Sequence, residues 1–203
     1  MLIFWLLLRA AIRAISKTTW VEIKDLWQTP PEIYLALRSE FPFFLDAAAS
    51  LSNTLCTKFI DEKENTLEAN WLSKMPIGVG RAYAWLNPPY SAPMPFVKKA
   101  AQENADHSVG CVMLLPADTS VQWFKEAIRT AHEVRFITGG RLSFLNASTG
   151  KPVNGNNKGS MLIIWHPWPR AGECRMTTVE RDELMAYGRK RLEALKCENE
   201  KAA

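Results

Sequence analysis

Apolar residues in this chain fall into short blocks separated by polar stretches of helical period. FPFFLDAAAS reads as a buried strand, Pro42 to Asp46, that ends in small residues; AYAWLN, SVGCVMLLPAD, HEVRFITGG and SMLIIWHP repeat the pattern. Amphipathic helices alternate with them. EIYLALRSEF follows prolines 30 and 31, which suit a first helical turn, PMPFVKKAAQENA carries Pro95 near its start, and SVQWFKEAIRTA has one apolar face. Cys56 to Ile60 reads equally as a second strand or a short helix. The acidic DEKENTLEANW and the polar NASTGKPVNGNNKGS read as loops, and the tail VERDELMAYGRKRLEALKCENEKAA as a charged, solvent-facing helix. There is no internal repeat and no low-complexity tract. Strands alternating with helices predict a mostly parallel α/β sheet covered on both faces. In such sheets ligands gather outside the carboxyl ends of the strands, at a topological switch point. Asp46, Asn87 and Asp118 each fall at or just after the end of a predicted strand.

Composition changes this picture little. At 203 residues there is room for one domain with a proper core. The net charge of +4 is compatible with a nucleic-acid partner without requiring one. Cys56, Cys111, Cys174 and Cys197 form no CxxC pair and read as reduced thiols of a cytosolic protein. His107, His132 and His166 have no metal-ligand spacing, so no metal is expected.

The start, MLIFWLLLRAAIRAISK, stands apart. Its apolar run ends at Arg9, short of the roughly 20 residues that span a bilayer, and its positive charges follow the run where a secretory signal would place them before it. Three readings compete: a membrane-surface helix, a helix packed on the domain, or residues added by a misplaced start. The last two are favoured and a membrane partner is not expected. The expected organisation is an extension over 1–20, an α/β domain over 21–175 and a charged C-terminal helix over 176–203.

The stretch AWLNPPYSAP carries the chemistry. Prolines can neither continue a helix nor donate to a sheet ladder, so Pro88 and Pro89 turn the chain off its strand into a rigid shelf. Asn87 supplies an amide that does not titrate, and Pro88 a carbonyl acceptor. Together they can accept both hydrogens of an exocyclic amino group and direct its lone pair at an electrophile. Tyr90 offers a face on which a base can stack. Such a site suits alkylation of an aromatic amine by positioning and electrostatics.

The shelf resembles the [D/N/S]PP[Y/F/W] motif of S-adenosyl-L-methionine-dependent amino-methyltransferases. The ordered set DLWQTPPEIYLAL, FFLDAAASLSNTLC, WLNPPYSAPMPFVKKA, LLPADTSVQWF and GGRLSF, from Asp25 to Pro167, resembles the phage-type, Dam-like DNA N6-adenine methyltransferases. The resemblance implies a Rossmann-like methyltransferase fold, double-stranded DNA as partner, and a cytoplasmic, phage- or prophage-type enzyme; the domain itself is expected to be monomeric or weakly associated. It implies that Asn87, Pro88, Pro89 and Tyr90 grip the target adenine. Asp46, Ala47 and Ala48 stand in the cofactor loop, where many relatives have glycines. Trp27, Thr29 and Pro30 match a segment against the cofactor's methionine end, Asn65 the position reading its adenine, and one of Asp61, Glu62 and Glu64 the ribose ligand. GVGR, Gly78 to Arg81, precedes a strand and is no substitute for a cofactor loop.

Plainer roles compete at each position. NPPY serves as a turn on other strands, Asp46 and Asp118 suit helix caps, and Trp27 suits a core. Arg141 reads as a phosphate contact or a surface ion pair. Asn154, Asn156 and Asn157 read as base readers or turn formers, Asn154 and Asn157 being taken with Arg141 as the DNA-contact set. Cytosine-N4 methylation, glutamine methylation on protein, and DNA binding without catalysis are the rival functions. Ser or Asp at position 87 would favour the first of these, and a peptide groove the second.

Overall fold

The computed structural model describes residues 27–76, 81–146, 149–153 and 156–202. The N-terminal extension over 1–20 and residues 78–80 of the GVGR loop lie outside the described residues. In chain order the strands are β1 (Trp27–Gln28), β2 (Phe43–Asp46), β3 (Lys58–Phe59), β4 (Tyr83–Leu86), β5 (Gly110–Pro116), β6 (Glu133–Thr138), β7 (Leu145–Asn146), β8 (Ser160–Trp165) and β9 (Arg175–Glu180). The α-helices are α1 (Pro31–Arg38), α2 (Pro93–His107), α3 (Gln122–Thr130) and α4 (Arg181–Ala202).

Seven strands form one sheet in the order β3-β2-β4-β5-β8-β6-β9, and β1 pairs with β7 in a separate ribbon. Every pairing in the large sheet is parallel except those of β8, which runs antiparallel to both β5 and β6. From β2 the chain steps outward to β3 and then returns to β4 on the other side of β2. The ends of β2 and β4 therefore flank a switch point, where an open α/β sheet leaves a crevice.

Side-chain alternation makes two cores. Ala84 and Leu86 of β4, Met113 and Leu115 of β5, and Met161 and Ile163 of β8 pack with Val97 and Ala100 of α2 and Phe124 and Ala127 of α3. Their neighbours Tyr83, Trp85, Val112, Leu114, Leu162 and Ile164 face the other way, toward Ile33, Tyr34 and Leu37 of α1 and Leu184 of α4. Helices thus cover both faces of a mostly parallel sheet. At the amino ends of β6 and β9, Glu133 is buried with Arg135, Arg175 and Thr177. Burial alone would raise its carboxyl; hydrogen bonds from these three side chains hold it at about 2. Arg135 also forks onto Glu40 with contacts of 2.6 and 2.8 Å, tying the α1–β2 turn to β6.

Sequence reading placed Val179 and Glu180 in the tail helix; they end β9, the edge strand of the seven-stranded sheet, and the helix begins at Arg181. The turn that leads from β6 back beneath α4 needs Gly139. Its φ of +77° lies in the left-handed region, and a Cβ there would strike the Glu180 carboxylate. Gly188 serves a different purpose. It is the point where α4 crosses α1, and a Cβ there would overlap the backbone of Glu32. Gly188→Val is expected to destabilise the fold by about 2–3 kcal/mol or more, because rigid backbone blocks relaxation. Thermal unfolding checks this; an unchanged midpoint would contradict the crossing geometry.

Candidate functional site

Two cavities open side by side at the carboxyl rim of the sheet. The first, of about 320 Å³, lies at the switch point and falls in the size range of small-molecule sites, about 300–1,000 Å³. Trp27, Thr29, Asp46, Ala48, Leu55 and Asn87 are among the residues that line it. The second, of about 180 Å³, is bounded by Trp27, Tyr90, Pro116, Asn157, Lys158 and Ser160, among others. Trp27 belongs to both and forms the partition. The NPPY shelf spans the two chambers, with Asn87 on the first and Tyr90 on the second.

Asn87 is fixed in one orientation. Its Nδ2 donates to the Trp27 carbonyl at 3.2 Å, leaving its Oδ1 buried without a hydrogen-bond partner. An acceptor so placed costs the folded protein free energy unless a ligand supplies a donor. The Thr29 hydroxyl, on the wall of the first cavity, is also buried without a partner. Aromatic rings brace this geometry. Trp27 stacks on Phe144 at 5.7 Å, and Phe144 meets Tyr90 edge-on at 5.8 Å. Burial raises the Tyr90 phenol well above its ordinary value, so it remains neutral, and its OH has no partner.

Asp46 ends β2 and is only 4 % exposed. Burial pushes its carboxyl up to about 6, against backbone N–H groups of Leu55 and Ala48 that favour the charged form. The Leu55 N–H donates to Oδ2 at 3.0 Å. No helix follows Asp46, so it is not a helix cap. The Ala47 N–H bonds the Trp85 carbonyl, and the Ala49 N–H the Ile60 carbonyl, so the alanine loop is laced to the neighbouring strand ends. A buried carboxylate lifted toward neutrality, beside an unpartnered hydroxyl in a cavity of this size, suits a polar ligand that brings a positive charge.

Other expected site residues have local tasks. Asn65 sits at φ +58°, its side-chain oxygen accepting from the Leu67 N–H, and it does not line the cavity. Asp61 accepts from the Glu64 N–H, while Glu64 pairs with Lys74 at 2.6 Å. Asp118 caps no helix, because α3 starts at Gln122; it binds Ser120 and Lys158. Hydrogen bonds from Lys158 and Ser120 hold its carboxyl at about 2. Arg141 is exposed and donates to the Asn156 carbonyl at 3.4 Å, while Asn156 donates to the Leu142 carbonyl at 3.0 Å. Both brace the loop from within. Asn157 lines the second cavity, and Asn154 lies outside the described residues.

Sequence reading missed Gln28, Leu55, Phe144, Lys158 and Ser160. The first four sit on short or irregular segments without periodicity. Ser160 opens an apolar strand whose direction sequence alone does not reveal.

A mostly parallel sheet with a small-molecule cavity at its switch point, bordered by an Asn-Pro-Pro-Tyr shelf, is a Rossmann-like methyltransferase architecture. The DNA N-6-adenine-methyltransferase (Dam) family matches residues 16–191. The chain is 36 % identical over 167 residues to the DNA N-6-adenine-methyltransferase of Haemophilus phage HP1 (strain HP1c1), an alignment covering 81 % of this chain and 92 % of that relative. It is 40 % identical over 170 residues to the DNA N-6-adenine-methyltransferase of Escherichia phage T1, covering 76 % and 68 % respectively. This chain belongs to the Dam family of DNA N-6-adenine-methyltransferases, and is an enzyme of that class.

Proposed function

We propose that this protein methylates the N6 amine of an adenine flipped out of duplex DNA, with S-adenosyl-L-methionine held in the 320 Å³ cavity. The observation that carries the reading is the Asn87 amide, clamped by the Trp27 carbonyl so that its oxygen is left without a partner at the meeting of the two chambers. When bound, the cofactor supplies an electrophilic methyl group. Asp46 and Thr29 would hold its charged and polar end. Asp61, Glu62 and Glu64, the acidic candidates for the ribose hydroxyls, lie outside the cavity lining. Asn87 Oδ1 and the Pro88 carbonyl accept the two amine hydrogens and turn the lone pair out of the ring. Tyr90 stacks on the base, which helps offset the few kcal/mol of unstacking.

Tyr90→Phe is expected to retain most activity and to raise the thermal midpoint, because it deletes a buried hydroxyl whose lack of a partner costs about 1–3 kcal/mol. Tyr90→Ala should raise KM for DNA by at least about tenfold through lost stacking. If Tyr90→Phe were as impaired as Tyr90→Ala, the hydroxyl and not the ring face would carry the contact.

The test of the whole reading is expression in a host that lacks adenine methylation, followed by single-molecule sequencing of its DNA. Methyladenine in one short recurrent context supports it. Modified cytosine, or unmodified DNA from a host expressing a protein that binds the cofactor, overturns it.

A further inference from the structure

We propose that the Ser160 hydroxyl reads the target base, donating a hydrogen bond to one of the ring nitrogens, N1 or N7, that flank the amine-bearing carbon of adenine. The inference rests on the adenine reading above and adds a specificity-determining residue to it.

The topology puts Ser160 where it can do this. β8 runs against its neighbours, so its first residue, not its last, lies at the rim to which β2, β4 and β5 send their carboxyl ends. Ser160 pairs there with Pro116, the final residue of β5. Alternation along the strand sends Met161 into the core beneath α2 and α3, so Ser160 faces the other side with Leu162. That side holds Phe144 and the ring of Tyr90.

Burial makes the residue conspicuous. Ser160 is only 2 % exposed, and it lines the 180 Å³ chamber with Tyr90 and Trp27. Among the described residues its hydroxyl has no hydrogen-bond partner, while the rest of the strand, Met161 to Trp165, is apolar and buried. Its oxygen is not one of the fully buried side-chain atoms without a partner, so it meets the open space of the chamber and is free to bond a group placed there. The chemistry is complementary to the shelf. An amine hydrogen needs acceptors, which Asn87 and Pro88 supply, whereas an adenine ring nitrogen needs a donor, and a serine hydroxyl can donate. Asn157 and Lys158 also border the chamber, but both are exposed.

The test pairs protein and substrate deletions. Wild-type enzyme and Ser160→Ala are assayed on a duplex carrying, at the target position of the context found by sequencing, adenine, 1-deazaadenine or 7-deazaadenine. Wild type is expected to lose about 10- to 100-fold in kcat/KM on one of the two analogues, the effect of leaving one buried group unpaired. Ser160→Ala should show a loss of the same size on adenine and no further loss on that analogue, with cofactor affinity and thermal midpoint at wild-type values. Equal activity of Ser160→Ala and wild type on adenine would overturn this inference alone, as would losses that multiply on both analogues. A wild-type enzyme inactive on every adenine duplex would overturn the parent reading and this one with it.

Discussion

Replacing Asn87 with alanine is expected to lower the single-turnover rate of methyl transfer by about 10²–10³-fold or more, the range seen when one preorganised polar group is removed from a transition state. Cofactor affinity should stay within about twofold, because the proposed partner of Asn87 is the amine and a single hydrogen bond to a neutral group elsewhere is worth little. The reasoning starts from the shelf. Pro88 and Pro89 fix the backbone, the Trp27 carbonyl takes one amide hydrogen, and the amide oxygen is held in one geometry in which to act. Asn87→Asp keeps an acceptor but replaces the amide donor with a charge facing a carbonyl, so the clamp itself is lost; it should also be impaired. A rapid-quench assay beside calorimetric titration of the cofactor separates the two effects. Parallel loss of rate and cofactor affinity in Asn87→Ala would show that the residue belongs to the cofactor wall instead.

Asp46 should govern the pH dependence of cofactor binding. Its carboxyl titrates at about 6 because burial penalises the charge. A ligand bringing a cation favours the carboxylate, so affinity is expected to be level above pH 6 and to fall by up to tenfold per unit below it. Stability runs the opposite way. The folded-state value lies above the ordinary 3.8, so the folded protein binds the proton more tightly than the unfolded chain, and stability from this group is lost as pH rises from about 4 through 6. Fully ionised, the group costs the fold about 3 kcal/mol. Asp46→Asn should therefore raise the midpoint of thermal unfolding at pH 7.5 by several degrees while weakening the cofactor by about 10- to 100-fold, a trade of stability for function. A variant with unchanged cofactor affinity and a flat pH profile would remove Asp46 from the site.

Much of this architecture is written locally in the chain. β2, β4, β5 and β8 are continuous apolar runs because both faces of the sheet are covered, and such runs declare themselves. α1 carries Pro31 in its first turn and buries Ile33, Tyr34 and Leu37, a spacing visible in the letters alone. The shelf is legible because two prolines leave few conformations open. What escapes a linear reading depends on partners distant in the chain. β1 and β7 are two residues each, too short for any periodicity, and exist because Trp27 finds Asn146 across the loop. β9 is an edge strand of mostly polar residues, RMTTVE, whose β-branched centre is its sole cue. Asn65 looks like a cofactor reader by position, yet its positive φ and its bond to the Leu67 N–H give it a turn to hold. The antiparallel course of β8 is a property of the sheet and not of the strand, which is why Ser160 carries no signature in its own neighbourhood.

The crossing at Gly188 makes the far end of the chain a structural support for its beginning. α4 holds α1 in place, and α1 begins at Pro31, which with Thr29 lines the 320 Å³ cavity at the switch point. Beyond Leu195, residues 196–201 are exposed and line neither chamber. Removing them, or attaching a tag there, leaves the enzyme its scaffold, whereas shortening the helix past Gly188 withdraws the buttress from a site some 150 residues earlier. For anyone engineering this protein, the last turn of α4 is free ground and its second turn is a keystone.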